Sequence, residues 1–151
     1  MWTRYTITVS YIALIVGYAA ALLFGWSLAQ TIPGISASDN PAWLARSAAL
    51  MVVAWPVWFL HWRWARRDWF WESRSAQYFL LVFTVMGLIG TVVIGTQLIT
   101  RLFELLLGTR PPGEDSASFL FGALWSTAIS FWMWIYHGRT WLEHRRRVAS
   151  R

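Results

Sequence analysis

The chain has 151 residues, of which 57% are apolar and only 13% charged. A soluble domain averages roughly 25% charged residues, so too few charges are present to cover a water-facing surface, and the length suits about four membrane-spanning helices. The formal charge is +6, with 13 cationic side chains, every one an arginine; they follow apolar segments rather than forming a basic domain, which argues against nucleic-acid binding. Cysteine is absent, which removes disulfides, thiolate metal sites and cysteine nucleophiles.

From Thr6 to Ala29 no residue is charged. This run is long enough to span a hydrocarbon core of roughly 30 Å and too long for a signal-peptide core of about 7–15 residues, so it is expected to be retained as a first span. Ala13, Gly17, Ala21, Gly25 and Ala29 recur every four residues, a stripe that lets helices approach closely in lipid. Thr31 to Pro41 is rich in turn residues, and Asp39 or Asn40 can cap a second span over about Ala42–Leu60. Pro56 removes one helical hydrogen bond near its exit.

His61 to Ser75 then gathers Trp62, Arg63, Trp64, Arg66, Arg67, Trp69 and Trp71. These do not form one clean helical face, so an interfacial segment is expected, with indole rings at headgroup level and arginines on lipid phosphates. A third apolar stretch runs from Ala76 to about Leu107, carrying its own small-residue row at Gly87, Thr91 and Gly95. Gln97, Arg101 and Glu104 lie towards its end and suggest emergence from the bilayer. Gly108–Ser116 reads as a turn, with Glu114 and Asp115 placed to oppose a helix dipole. The fourth span covers about Ser118–Tyr136, with a third small-residue row at Gly122, Ser126 and Ser130. A basic tail from Gly138 to Arg151 follows, in which His144 is expected to be solvated.

The exit motif occurs twice: Trp58-x-x-His61-x-Arg63 returns as Trp134-x-x-His137-x-Arg139. The halves, about 1–75 and 76–151 of one membrane domain, therefore read as tandem copies of a two-span hairpin. The second copy departs at Trp132, where the first has Pro56, and at Gly138, where the first has Trp62. The expected fold is all-α: an integral membrane four-helix bundle built from two transmembrane hairpins. Ten arginines fall in the N-terminus, the middle segment and the tail, against Arg46, Arg101 and Arg110 on the other side. The positive-inside rule then puts both termini in the cytoplasm, in a cell (inner) membrane.

With its Pro56-Val57-Trp58-Phe59-Leu60-His61-Trp62-Arg63 segment, the chain resembles a family of bacterial membrane proteins known as a domain of unknown function. Members of that family look like tandem two-helix units with a Pro-x-Trp-x-x-His-Trp-Arg exit. The resemblance covers most of the chain and implies architecture, not a reaction.

His61 and His137 are the sharpest chemical candidates, because the repeat puts them at one depth. Paired histidines on facing helices can ligate a haem b, and a single one a chlorin pigment; the plainer role is an interfacial histidine that orients neighbouring arginine and tryptophan. Trp58, Trp134, Arg139 and Trp141 complete the expected lipid interface. Arg46, Gln97, Arg101 and Glu104 form a second polar group, most simply surface ion pairing and snorkelling. No acidic residue lies in mid-span, no phosphate loop or catalytic triad is visible, and no metal-ligand spacing or cofactor is expected. The expected function is a non-catalytic accessory or scaffold subunit that packs against lipids and against other membrane proteins or itself. The alternative is a haem- or chlorophyll-binding electron-transfer or light-harvesting subunit using His61 and His137, and a small-molecule or lipid transporter is a third.

Overall fold

The computed structural model describes residues 2–31, 41–66, 73–109 and 116–150. They form four helices: α1 (Trp2–Thr31), α2 (Pro41–Ala65), α3 (Arg74–Leu106) and α4 (Ser116–Ala149). All four are long and apolar enough to cross a membrane, and the protein is a multi-pass, all-α membrane bundle. Uninterrupted helix is what lipid demands, since a backbone without water must bond within its own segment. The expected caps at Asp39, Asn40, Glu114 and Asp115 lie outside the described residues, as do Arg67, Trp69 and Trp71.

Two boundaries differ from the sequence reading. His61 to Ala65 continue α2 rather than opening a loop, and α4 runs through the basic segment to Ala149. The reason is packing. Trp62 and Ala65 are buried, and so are His137, Thr140 and His144, which continue one inward-facing stripe of α4. His144, expected in water, has no exposed surface.

The C-terminus of α3 is closed by a Schellman motif. Gly108 takes φ +68°, its N–H donates to the Leu105 carbonyl at 3.3 Å, and the Thr109 N–H donates to the Glu104 carbonyl at 3.0 Å. Glycine adopts this left-handed conformation without a Cβ penalty.

Close backbone approach joins α1 to α2, α3 to α4, and α1 to α4. α1 is the most buried helix and α2 the least. The α1–α4 seam is made by reciprocal insertion. The Trp125 indole lies over Gly25, where a Cβ would come within 2.1 Å of the ring, and the Trp26 indole lies over Gly122, at 2.6 Å. The Trp125 indole N–H donates to the Ala21 carbonyl at 2.8 Å, and the Ser118 hydroxyl to the Ala29 carbonyl at 3.1 Å. Tyr18 and Ser130 share a buried hydroxyl–hydroxyl hydrogen bond of 2.7 Å. α3 and α4 approach closest at Gly87, where an added Cβ would lie 2.5 Å from the Trp134 backbone nitrogen and 2.9 Å from the Ser130 carbonyl oxygen. At Gly95 the nearest atom is the Thr127 methyl at 3.7 Å. Thr91 returns its hydroxyl proton to the Gly87 carbonyl, while Ser126 is fully buried. Gly17 faces Ala54 and Trp55 of α2 at ordinary contact distances.

Candidate functional site

The densest side-chain cluster lies where the ends of α2 and α4 meet the start of α3. On α2, Trp58 and Trp62 are one turn apart and both point inward, each about 95% covered or more. Phe79 and Phe83 on α3 are similarly spaced and buried. α4 contributes Trp132, Tyr136 and His137.

The His137 imidazole is at the centre, with no exposed surface. Its ring centroid lies 5.1 Å from Tyr136, 5.5 Å from Phe83, 6.0 Å from Phe79, 6.0 Å from Trp62 and 6.3 Å from Trp58. Nδ1 is 3.1 Å from the Met133 carbonyl one turn back. That carbonyl can only accept, so Nδ1 carries the proton and Nε2 presents its lone pair. Nε2 is buried with no hydrogen-bond partner among the described residues, as are the Trp58 indole N–H and the Ser10 hydroxyl. The Trp62 indole N–H, by contrast, donates to the Tyr136 hydroxyl at 2.7 Å.

His61 repeats the local chemistry in a different setting. Its Nδ1 is 2.8 Å from the Val57 carbonyl, the same one-turn-back bond. Its ring, however, faces Tyr5 at 6.2 Å and Trp64 at 5.6 Å. His61 and His137 therefore pack against different rings among the described residues.

The two positions that break the repeat build the cluster. Trp62 stacks on Phe79 at 5.1 Å, spacing α2 away from α3. Its counterpart Gly138 lets α3 come close, with Thr84 Cγ2 3.4 Å from where a Cβ would stand. Trp132, which replaces the proline of the first copy, stacks on Tyr136 at 5.4 Å and 15° and touches Trp55 and Trp58. The halves thus meet at this end through indole rings rather than backbone.

The remaining candidates are more scattered. Arg63 and Arg139 are exposed and Arg66 is half-buried; Trp64 is half exposed. Trp134 is half-buried and touches Phe131, while Trp141 lies under the Arg145 guanidinium at 5.5 Å. Of the second polar group, Arg101 and Glu104 form an ion pair of 2.6 Å. Arg101 is buried, with its guanidinium over the Phe119 ring of α4 at 5.1 Å. Gln97 is exposed, and Arg46 lies over Trp43 of its own helix.

Sequence reading missed Phe79, Phe83, Trp132, Tyr136 and the buried Tyr18–Ser130 pair. The available signal was the row on α4. Gly122, Ser126 and Ser130 continue through Met133 to His137, Thr140 and His144 at steps of three and four, a single helical stripe.

Comparison with known proteins adds the family. No curated protein and no solved structure matches the chain. Residues 4–136 match the family described as Domain of unknown function (DUF5671). That match covers most of the sequence and reaches into all four helices, so the chain belongs to the DUF5671 family.

Proposed function

We propose that the protein is a non-catalytic accessory or scaffold subunit of a larger membrane assembly, set in a bacterial inner membrane with both termini in the cytoplasm. The supporting observation is the one-sided packing of α2. It lies against α1, and meets the other half through Trp55, Trp58 and Trp62. Away from that end its outer face is bare. Val52 is 72% and Val53 64% exposed, and Leu50 and Trp43 are about half exposed. The glycines at 17, 25, 87 and 122 lie at contacts within the bundle, so a partner helix has α2 and the outer face of α3 to meet. The arginine bias supports the orientation.

Photo-crosslinking in native membranes tests this reading. A photoreactive side chain at Val52 should give one discrete protein adduct. Lipid adducts alone, at Val52 and Val53 as well as at Leu124 on α4, would remove the subunit role. Cysteine labelling of Ser150 from the periplasmic side would overturn the orientation.

One observation favours a second reading, haem or chlorin ligation. His61 and His137 both have Nδ1 anchored by a backbone carbonyl, the arrangement that fixes a tautomer and frees Nε2 for a metal. At His137 the surrounding rings, at 5.1–6.3 Å, fill the space a macrocycle needs, so Trp58 or Phe83 would have to move. A Soret or chlorin band in the purified protein, lost in His61→Ala or His137→Ala, would replace the scaffold reading with this one.

A further inference from the structure

Three buried polar atoms towards the arginine-rich end have no hydrogen-bond partner among the described residues: the Ser10 hydroxyl of α1, the Trp58 indole N–H of α2 and Nε2 of His137 on α4. We infer that these three hold one buried water molecule, which ties α1, α2 and α4 together where the two halves meet. The inference is independent of whether the protein is a subunit of anything.

Position is the first argument. α1 and α4 run antiparallel in a steady register, in which Ala29 meets Ser118, Ala21 meets Trp125 and Tyr18 meets Ser130. About two turns further towards the arginine-rich end, the same register sets Ser10 opposite His137. The residue beside Ser10 agrees with that placement. Tyr11 packs on Phe79 at 5.7 Å and on Phe83 at 5.3 Å, the two phenylalanines that wall the His137 imidazole. The Trp58 ring lies 6.3 Å from that imidazole. None of the three residues has more than 5% of its surface exposed.

Complementary chemistry is the second. An indole N–H only donates. Nε2 of His137 only accepts, because Nδ1 carries the proton shared with the Met133 carbonyl. A hydroxyl does both. One water accepts from Trp58, donates to His137 and completes a third bond with Ser10, the usual number for a water inside a protein. Without it each group would be desolvated and unpaired. Ser10 also forgoes the ordinary remedy. Ser47, Thr84, Thr91 and Thr140 each return their hydroxyl proton to a carbonyl of their own helix, and Ser10 makes no such bond. The water takes the lone pair that a haem or chlorin metal would need, so the two occupants exclude each other.

Proton-detected solid-state NMR of the isotope-labelled full chain in phospholipid bilayers reads the site out. Magnetisation from water should reach the Trp58 indole N–H and should not reach that of Trp125, which is bonded to the Ala21 carbonyl. The His137 Nε2 resonance should be shifted from that of a free imidazole lone pair to that of one accepting a hydrogen bond. Transfer to Trp58 should be lost in Ser10→Ala and kept in Ser10→Thr, which retains the hydroxyl. A helical circular dichroism spectrum matching the parent's is required of both variants; where Ser10→Ala fails that requirement, the two resonances of the parent decide. No transfer to Trp58 in the parent, an unbonded or metal-bound Nε2, or a scalar coupling showing that Trp58 donates directly to His137 would overturn the inference. So would transfer in Ser10→Ala equal to the parent's.

Discussion

His61 and His137 occupy the same place in two copies of one motif, make the same bond to the carbonyl one turn back, and meet different surroundings. His61 is half-buried at the side of the bundle beside Tyr5 and Trp64. His137 is sealed among five aromatic rings. The motif therefore sets the local backbone chemistry of each histidine, and its neighbours set the environment. The deciding neighbours are those where the copies differ, Trp62 against Gly138 and Pro56 against Trp132. A bulky residue on α2 gives a contact filled by indoles, whereas the glycine on α4 meets only the Thr84 methyl of α3.

The largest test of that asymmetry is to delete each motif tryptophan in turn. Trp58→Ala removes a buried ring that touches Trp55, Trp62, Trp132, Tyr136 and His137, and should cost about 3–5 kcal/mol. Trp134→Ala removes a ring half-buried on the bundle's side and should cost less than about half as much by the same area argument. Reversible unfolding in mixed micelles measures both. Equal costs would mean the two copies are equivalent in the membrane.

The next test uses glycine. At Gly87 a Cβ would strike the α4 backbone, which cannot move aside cheaply, so Gly87→Ala should destabilise by about 1–3 kcal/mol. At Gly17 the nearest atom would be the Ala54 Cβ at 3.4 Å. Gly17→Ala should fall within about 0.5 kcal/mol of the parent or gain slightly from helix propensity. If both substitutions are tolerated, the α3–α4 contact is looser than its geometry.

Much of this architecture was legible beforehand. The four spans follow from long apolar runs with few charges, and the two hairpins from the repeated exit motif. The glycine rows were visible too, because close backbone approach has a compositional signature. The aromatic cage was not. Phe79 and Phe83 are one turn apart in a helix that is apolar all round, so periodicity does not distinguish an inward phenylalanine from a lipid-facing one. His144 was misplaced for a related reason. A run of arginines reads as solvated tail, and only the inward stripe through Thr140 reveals that α4 continues and turns that one position inside.

The smallest effect concerns the bond that ties the two copies together in mid-bundle. Tyr18 of the first hairpin and Ser130 of the second meet at 2.7 Å in a buried setting, and Gly90 of α3 lies against both hydroxyls, with no room for a Cβ. Polar contacts between membrane helices average about 0.6 kcal/mol, because the separated helices also find partners. A double-mutant cycle with Tyr18→Phe and Ser130→Ala should therefore return a coupling of about that size. Each single variant leaves the other hydroxyl buried and should cost at least as much as the double one adds. A coupling near zero would mean that the hairpins are held together by the Trp26 and Trp125 insertions and the aromatic end alone. The difference between the copies would then extend through the whole depth of the bundle rather than being confined to its arginine-rich end.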